Sequence, residues 1–207
     1  MEKIVFASKN KGKVKEIKAL LADMGLTVLS LDDFPDIPEI EEDGRSFYEN
    51  ALKKAKVAAD TTGEAVIADD SGLEVDALNG APGIYSARYA GDGAGDKENI
   101  AKLLYELKNI PAQKRGASFR CVLVFYEKDK RHEIFEGRWE GVIAESPSGT
   151  NGFGYDPVFY IPERKLTAAQ LSPEEKNRIS HRGQAFNQLK KRLDEVMNNP
   201  SGRSAAR

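Results

Sequence analysis

Strand-like and helix-like segments alternate through the first third of the chain, and this order constrains the fold more than any other feature. β-Favouring runs lie at residues 3–7, 27–31 and 65–68, and apolar residues recur at helical spacing in the two intervals between them. Strands that alternate with amphipathic helices are typical of α/β proteins, in which helices cover a central sheet. This part of the chain therefore predicts an α/β fold.

The middle of the chain is richer in strand formers. Residues 118–127 and 132–144 carry many Phe, Val and Ile residues, and a short polar stretch joins them, which predicts a long antiparallel hairpin. Together with the earlier strands, the hairpin predicts a long, twisted mixed β-sheet flanked by helices, with two lobes around a central substrate cleft. We expect residues 1–197 to form a single domain and residues 198–207 to form a flexible tail.

Charge and hydropathy exclude several classes of function. The formal net charge is −2, so no overall field attracts the chain to nucleic acid or to an anionic membrane. No apolar run approaches the length of a membrane span or of a signal peptide. We therefore expect a cytoplasmic protein whose partners include neither nucleic acid nor a membrane. Cys121, the single cysteine, lies in an apolar run and is expected to be a buried thiol in a reducing compartment.

Two adjacent carboxylates, Asp69 and Asp70, follow the buried run at residues 65–68 and precede Ser71 and Gly72, where we expect the strand to end in a turn. Like charges this close raise each other's pKa, and burial adds to the cost of ionising them. A divalent cation relieves both effects, and Mg²⁺ favours carboxylate oxygens and water as ligands. For this motif taken alone, an Asp-Ser-Gly turn without a ligand is the alternative.

A polar, lysine-rich loop connects the first strand to the first helix. Its residues are Ser8, Lys9, Asn10, Lys11, Gly12 and Lys13. Backbone N–H groups and the positive end of the helix dipole converge at such a position, so the loop predicts a site for a phosphate-bearing ligand. The spacing differs from the Walker A pattern, so a P-loop NTPase is not implied. A solvated basic loop is the alternative.

An acidic loop at residues 32–44 leads into the second helix, which begins with a capping box formed by Ser46 and Glu49. Acidic clusters of this kind usually belong to solvated loops. On the helix that follows, Asn50 and Lys54 lie four residues apart on one face. Both side chains are expected to face the phosphate-binding loop.

Two short motifs lie in the C-terminal third of the chain. Residues 152–157 form a glycine-containing loop, and residues 180–183 separate a short helix from a final helix expected at about residues 184–197. Taken singly, each motif has a purely structural explanation, with Phe153 as a core residue and His181 as a helix cap.

Taken together, these motifs resemble the Ham1 family of noncanonical purine nucleoside triphosphate pyrophosphatases, also called inosine triphosphatases. The resemblance extends from Ile4 to about Leu193. The motifs that carry it are, in chain order, Ser8-x-Asn10-x-x-Lys13, Glu41-Glu42-x-Gly44, Asn50-Ala51-x-x-Lys54-Ala55, Ala68-Asp69-Asp70-Ser71-Gly72-Leu73, Ala81-Pro82-Gly83-x-Tyr85-Ser86-Ala87-Arg88, Gly152-Phe153-Gly154-Tyr155-Asp156-Pro157 and Lys176-Asn177-x-x-Ser180-His181-Arg182. Two positions depart from the family pattern, because Ser8 and Asp43 stand where threonine is common.

The resemblance implies a homodimeric pyrophosphohydrolase that, with Mg²⁺ as cofactor, converts inosine, deoxyinosine or xanthosine triphosphate to the monophosphate and pyrophosphate. On that hypothesis we assign Asp70 as metal ligand and proton acceptor, and Glu41 as the second metal ligand. Asp69 would share the site or polarise the attacking water, and whether Glu42 or Asp69 joins the metal stays open. Ser71 would hold a phosphate or ribose oxygen.

The C-terminal motifs would bind the base. Phe153 offers a stacking surface that is indifferent to base identity. Selection must then come from hydrogen bonds to O6, the carbonyl oxygen that hypoxanthine and xanthine carry where adenine has an amine. The expected O6 donors are Lys176, His181 and Arg182, and the residues expected to complete the pocket are Gly154, Tyr155 and Asp156.

Two alternatives belong to other classes of function. A nucleotide-binding regulator would keep the phosphate loop and the base pocket but would not need the carboxylates at positions 41, 69 and 70. A phosphatase of nucleoside monophosphates would not need the long C-terminal segment that is predicted to bind the base. Analysis of the products formed from a triphosphate separates the three hypotheses.

Overall fold

The computed structural model of the protein describes residues 2–198. The predicted tail at residues 198–207 lies outside this range, apart from Asn198, with which the last helix ends.

A mixed sheet of seven strands forms the centre of the fold. In chain order the strands are β1 (Lys3–Phe6), β2 (Thr27–Ser30), β3 (Val66–Val75), β4 (Gly116–Tyr126), β5 (His132–Ile143), β6 (Phe159–Ile161) and β7 (Leu166–Thr167). Their spatial order is β2-β1-β3-β4-β5-β6-β7, with β1 parallel to β2 and β3 and all later neighbours antiparallel. The predicted mixed sheet and the predicted hairpin, β4–β5, are confirmed.

α-Helices pack on the sheet, and they confirm the predicted α/β class. In chain order they are α1 (Lys11–Leu20), α2 (Phe47–Thr62), α3 (Asp96–Glu106), α4 (Pro173–Ile179) and α5 (His181–Asn198). A longer 3₁₀ segment, the Gly83–Arg88 turn, follows β3. Between residues 2 and 198, no helix has the length and apolar character needed to cross a membrane.

The side chains of β1 enter two cores on opposite faces of the sheet, as the period of a strand requires. Ile4 and Phe6 pack with Phe186 of α5, whereas Val5 packs with Ala51 of α2. These residues of β1 are fully buried, which explains the unbroken apolar sequence of the strand. Helices α1 and α5 therefore cover one face, and α2 covers the other.

A third core lies at the far end of the long strands. There Leu73 and Val75 of β3 pack with Leu103 of α3 and with Trp139 of β5. Trp139 is 6% exposed, so the hairpin contributes it to the core and not to the surface. Because β3 and β4 contribute to all three cores, they connect the two ends of the molecule.

β3 does not end at Gly72, as predicted, but continues without interruption and pairs with β4 along its whole length. The predicted turn is wrong because Gly72 serves close packing. A Cβ at this position would lie 2.3 Å from the carbonyl oxygen of Gly83 and 2.7 Å from Ser86 Oγ. Ser86 Oγ also accepts from the backbone N–H of Leu73 at 2.9 Å. The absence of a side chain thus lets the Gly83–Arg88 turn lie directly on the strand.

α5 begins at His181, earlier than the predicted start at about residue 184. Ser180 caps it, since its Oγ accepts from Gly183 N at 3.1 Å and its carbonyl oxygen accepts from Gln184 N at 2.9 Å. His181 and Arg182 therefore lie in the first turn of a helix and not in a loop.

Candidate active site

A cavity of about 560 Å³ lies where the predicted phosphate-binding loop, β3 and the first turn of α5 meet. Small-molecule sites typically have volumes of roughly 300–1,000 Å³. The predicted site residues that line it are Ser8, Lys9, Asn10, Lys13, Asp70, Ser71, Phe153, Gly154, Tyr155, Asp156, His181 and Arg182. Those that do not line it are Lys11, Gly12, Glu41, Asp69 and Lys176. The structure thus brings the predicted phosphate end and the predicted base end into one cavity.

The predicted phosphate-binding loop is ordered by its own side chains. Ser8 Oγ accepts from Asn10 N, and Asn10 Oδ1 caps α1 by accepting from Lys13 N, both at 3.1 Å. Gly12 lies in the first turn of α1, where a Cβ would be only 2.7 Å from the ring of Phe153. Glycine at this position therefore allows the phosphate end and the base end to be in contact.

Asp69 lies on the face of β3 opposite to Asp70, since neighbouring strand residues point in opposite directions. It is fully buried, accepts from Ser71 Oγ at 2.8 Å and pairs with Lys13 Nζ at 2.8 Å. Burial alone would raise the pKa of Asp69, but the ammonium group of Lys13, with help from Lys54, holds that pKa at about 2. Asp69 is therefore ionised at neutral pH, and it forms an ion pair with Lys13.

Asp70 faces α2. Its Oδ2 accepts from Asn50 Nδ2 at 2.9 Å, and its Oδ1 lies 3.9 Å from Lys54 Nζ. Burial raises the pKa of Asp70 to about 6; the Lys54 ammonium opposes this rise, and the Glu42 carboxylate adds to it. The negative charge that perturbs Asp70 therefore belongs to Glu42. Asp69, which we expected to play that part, lies on the other face of the strand.

The acidic loop brings Glu42, and not Glu41, towards the cavity. Glu42 is part of the cavity lining, and its Oε1 lies 2.9 Å from Lys54 Nζ. Arg88 Nη2 donates to the backbone carbonyl of Glu42 at 2.9 Å. Glu41 is exposed and lies outside the lining. The loop has no regular structure, so its sequence carries no period from which the direction of either side chain could have been predicted.

The carboxylates of Asp70 and Glu42 suit Mg²⁺. This ion is usually bound through one or two protein carboxylates, with substrate phosphates and water completing its shell. The two carboxylates share one lysine, Lys54, so a single positive charge faces two negative ones. Within the described part of the chain, no cluster of three or more His, Cys, Asp or Glu side chains forms a metal site. Binding of Mg²⁺ here would therefore depend on the substrate as well as on the protein.

Two cations lie over the ring of Phe153 at the base end. Lys176 Nζ is 4.9 Å, and the guanidinium carbon of Arg182 is 4.7 Å, from the ring centroid. Both cationic side chains are buried, whereas Phe153 is only partly buried and lines the cavity. The ring thus contacts two buried cations and still lines the cavity, which suits the stacking role predicted for it.

Asp156 organises the loop that carries Phe153. Its Oδ2 accepts from the backbone N–H of Phe153 at 2.9 Å and from Lys176 Nζ at 2.5 Å. It is 2% exposed. Its carboxylate therefore fixes the stacking ring and one cation at the same time.

Tyr155 and Gly154 attach the same loop to neighbouring segments. Tyr155 Oη donates to the carbonyl oxygen of Ser86 at 2.8 Å, and Gly154 N donates to Asp96 Oδ2 at 2.7 Å. Both residues line the cavity, as predicted, but their polar groups are engaged with the protein. Their contribution to the pocket is its shape.

Glu16 belongs to the site, although no sequence pattern singles it out. Its Oε1 lies 3.2 Å from Lys176 Nζ, and its Oε2 accepts from Arg182 Nε at 2.5 Å. Burial alone would raise the pKa of Glu16, but Arg182 and Lys176 hold it below its usual value. Lysines surround Glu16 in the sequence of α1, a pattern typical of a solvated helix residue. Its role is visible only from its contacts with Lys176 and Arg182, which are more than half the chain length away.

His181 presents a single N–H group of defined orientation. Its Nε2 lies 3.1 Å from Arg182 Nη1, which can only donate, so Nε2 accepts and Nδ1 carries the proton. Burial and the nearby Arg182 lower the pKa of His181 well below its ordinary value, so the ring is neutral. Its Nδ1 has no hydrogen-bond partner within residues 2–198. The ring stacks on Phe119, with centroids 4.7 Å apart.

The family profile and the related sequences agree on what this chain resembles. The profile of the Ham1 family matches residues 4–192. A protein named dITP/XTP pyrophosphatase from Geobacter sulfurreducens is 53% identical over 193 residues, which cover 93% of this chain and 97% of the relative. Another of the same name from Yersinia pestis is 56% identical over 188 residues, which cover 90% of this chain and 95% of the relative.

Solved structures agree with the sequence comparison. A HAM1 protein from Coxiella burnetii has a TM-score of 0.86 at 49% identity, with 94% of this chain and 100% of that chain covered. The Ham1 protein of Staphylococcus aureus has a TM-score of 0.83 at 46% identity, with coverage of 93% and 98%. Because profile, relatives and structures agree over nearly the whole chain, this protein belongs to the Ham1 family.

Proposed function

We propose that this enzyme hydrolyses dITP, ITP and XTP, with Mg²⁺, to the nucleoside monophosphate and pyrophosphate, and so removes deaminated purines from the nucleotide pool. The names of the relatives support the substrate class. The observation that carries the proposal is that one cavity joins two carboxylates that share a lysine to an aromatic ring in contact with two cations. The first suits a triphosphate with its metal, and the second suits a purine.

At the phosphate end, Asp70 and Glu42 would hold Mg²⁺. When bound, the ion would offset phosphate charge and lower the pKa of a water molecule. Asp70 would also accept the proton of the water that attacks the α-phosphorus, since its carboxylate lines the cavity at the predicted phosphate end. Lys54 and Lys13 would offset the negative charge of the phosphates.

At the base end, Arg182 and His181 would recognise O6. The described bonds of Arg182 use its Nε and Nη1, so donors remain at Nη2. His181 adds the N–H at Nδ1. In ATP these donors would meet an amine, and a polar site left unpaired in this way rejects the wrong ligand by about 10⁴-fold or more. Phe153 would stack on either purine.

Product analysis tests the proposal. The wild-type protein, incubated with Mg²⁺ and a panel of dITP, ITP, XTP and ATP, should release pyrophosphate from the first three with kcat/KM at least 100-fold above the value for ATP. Release of orthophosphate would support a phosphatase instead. Binding without turnover would support a nucleotide sensor.

We also propose that residues 1–197 act as one catalytic domain in a cytoplasmic homodimer, as the family resemblance implies. Burial of Trp139 means that this residue does not supply the interface. Sedimentation velocity at micromolar concentration tests the dimer, and a monomer at all concentrations would contradict it.

A further inference from the structure

The two carboxylates assigned to the metal come from segments with very different order. Asp70 lies in the middle of β3 and pairs with Val122 of β4 in the sheet. Glu42 lies in a stretch, residues 37–44, that contains neither helix nor strand. A loop without backbone pairing needs side chains to fix its position. The distance between the two carboxylates therefore depends on whatever joins this loop to the strand.

Asn50 joins them directly. It lies in the first turn of α2 and is fully buried. Its Oδ1 accepts from Gly44 N at 2.8 Å, and its Nδ2 donates to Asp70 Oδ2 at 2.9 Å. A backbone N–H can only donate, so the amide oxygen must face Gly44 and the amide nitrogen must face Asp70.

We propose that Asn50 is a positioning residue that fixes the acidic loop relative to Asp70, and thereby sets the geometry of the carboxylate pair that binds the metal. The inference rests on the proposed function, since it concerns the two carboxylates assigned there. Only an amide of this length accepts from one segment and donates to the other at the same time. An ionised aspartate would keep the acceptor and lose the donor, and alanine would lose both.

Gly44 is fitted to this contact. A Cβ at Gly44 would lie 2.6 Å from Asn50 Oδ1 and 2.8 Å from the Cβ of Glu49. Alanine at position 44 would therefore push the loop away from Asn50 without altering Asn50 or Asp70. This substitution attacks the same contact from the loop side.

Arg88 holds the loop from another direction and provides a matched comparison. It donates to the carbonyl oxygen of Glu42 and lies over the Tyr85 ring, with its guanidinium carbon 5.2 Å from the ring centroid. Its described contacts reach the loop but not Asp70. Loss of Arg88 should loosen the loop alone, whereas loss of Asn50 should affect the loop and Asp70 together.

The test combines kinetics with hydrogen exchange in wild type, Asn50→Asp, Asn50→Ala, Gly44→Ala and Arg88→Ala. With dITP at saturating Mg²⁺, Asn50→Asp should lower kcat by about 10- to 100-fold and change KM by less than about 3-fold, the range seen for residues that orient metal ligands. Its Gly44 amide should stay protected from exchange. In Asn50→Ala the same amide should exchange at least about 10-fold faster, since its acceptor is gone.

Arg88→Ala should act differently. It should raise the Mg²⁺ concentration needed for half-maximal rate and lower kcat at saturating Mg²⁺ by less than the Asn50 variants do. Exposed Arg164, replaced by alanine, is the control and should match wild type in both assays.

A wild-type kcat in Asn50→Asp, or unchanged Gly44 exchange in Asn50→Ala, would overturn the proposal. If either Asn50 variant fails to fold, Gly44→Ala provides the test. The proposal predicts that this variant has a kcat about 10-fold lower than wild type at nearly unchanged KM. A wild-type kcat in Gly44→Ala would overturn the proposal. Should the wild type hydrolyse no triphosphate, the proposed function fails, while Gly44 exchange still reports whether Asn50 holds the loop.

Discussion

The two ends of the cavity differ in how completely their charges are paired. At the base end, Glu16 pairs with both Lys176 and Arg182, and all three are buried or nearly so. At the phosphate end, Asp70 and Glu42 share a single lysine, Lys54. The charges of the base end are thus paired in the free protein, whereas the phosphate end still needs positive charge from a ligand.

The difference assigns separate tasks to the two ends. A completed network keeps its donors in fixed positions and can distinguish one base from another. An incomplete cluster gains most when a cation and phosphates arrive, so it suits the chemical step. Substitutions at the phosphate end should therefore lower turnover of every substrate, and substitutions at the base end should change the ratio between substrates.

The largest effect is expected for Asp70→Asn. It removes a metal ligand and the proton acceptor together, so kcat for dITP should fall by about 10³-fold or more. A loss below 10-fold at saturating Mg²⁺ would move the chemistry elsewhere.

The same substitution should stabilise the protein when no metal is present. The folded-state pKa of Asp70, about 6, lies above its usual value of 3.8. The contribution of Asp70 to the free energy of unfolding is therefore fully present below pH 3.8 and is lost as pH rises through about 6. Without Mg²⁺ at pH 7.5, Asp70→Asn should be more stable than wild type by on the order of 2 kcal/mol. Paired denaturant titrations at pH 7.5 and pH 4 measure this, and a gap that does not shrink at the lower pH would contradict it.

The acidic loop offers a comparison between neighbours. Glu42→Gln should lower kcat/KM by about 100-fold, because it removes a charge that faces Asp70, whereas Glu41→Gln should stay within about 3-fold of wild type. Kinetics over a range of Mg²⁺ concentrations separate loss of metal binding from loss of turnover. The reverse order would mean that the loop turns on substrate binding and that Glu41 is the metal ligand.

Arg182→Ala tests the base end. The keto substrate loses a hydrogen bond to a charged group, worth roughly 1.5–3 kcal/mol, while ATP never made it. We expect kcat/KM for ITP to fall by about 10- to 100-fold and its advantage over ATP to narrow. A parallel fall for both substrates would make Arg182 a structural or phosphate-binding residue.

Phe153→Ala should have the smallest effect and no selectivity. Stacking contributes about 1–3 kcal/mol per base and does not depend on base identity. ITP and ATP should both lose about 10-fold in kcat/KM. Exposed Tyr105, replaced by alanine, serves as the aromatic control. If Phe153→Ala changed the ratio of kcat/KM for ITP to that for ATP as much as Arg182→Ala does, the division of tasks would be contradicted.

Local patterns in the sequence predicted the parts of the site that depend on neighbours along the chain. A strand, a polar stretch and a helix follow one another as predicted, but α1 begins at Lys11, inside the stretch predicted to be a loop, with Asn10 as its cap. The buried Cys121 follows from its apolar run, and burial raises its pKa to about 12. Strand and helix order was sufficient for the α/β class and the mixed sheet.

The remaining features depend on contacts that no local pattern records. Gly72 suggested a turn, and only the packing of a distant segment explains why the strand continues. That continuity places Asp69 and Asp70 on opposite faces, which removes the repulsion we expected between them. Glu16 meets Lys176 across most of the chain length, so its role appears only in the folded protein.

The most direct test of the division of tasks compares dITP with dATP, which differ in the group at position 6 of the purine and in the proton that hypoxanthine carries at N1. We would measure kcat/KM for both in wild type, Glu42→Gln and Arg182→Ala. We predict that Glu42→Gln lowers both values by the same factor, within about 3-fold, and that Arg182→Ala reduces the dITP to dATP ratio by about 10-fold or more. A changed dITP to dATP ratio of kcat/KM in Glu42→Gln, together with an unchanged ratio in Arg182→Ala, would contradict this division of tasks.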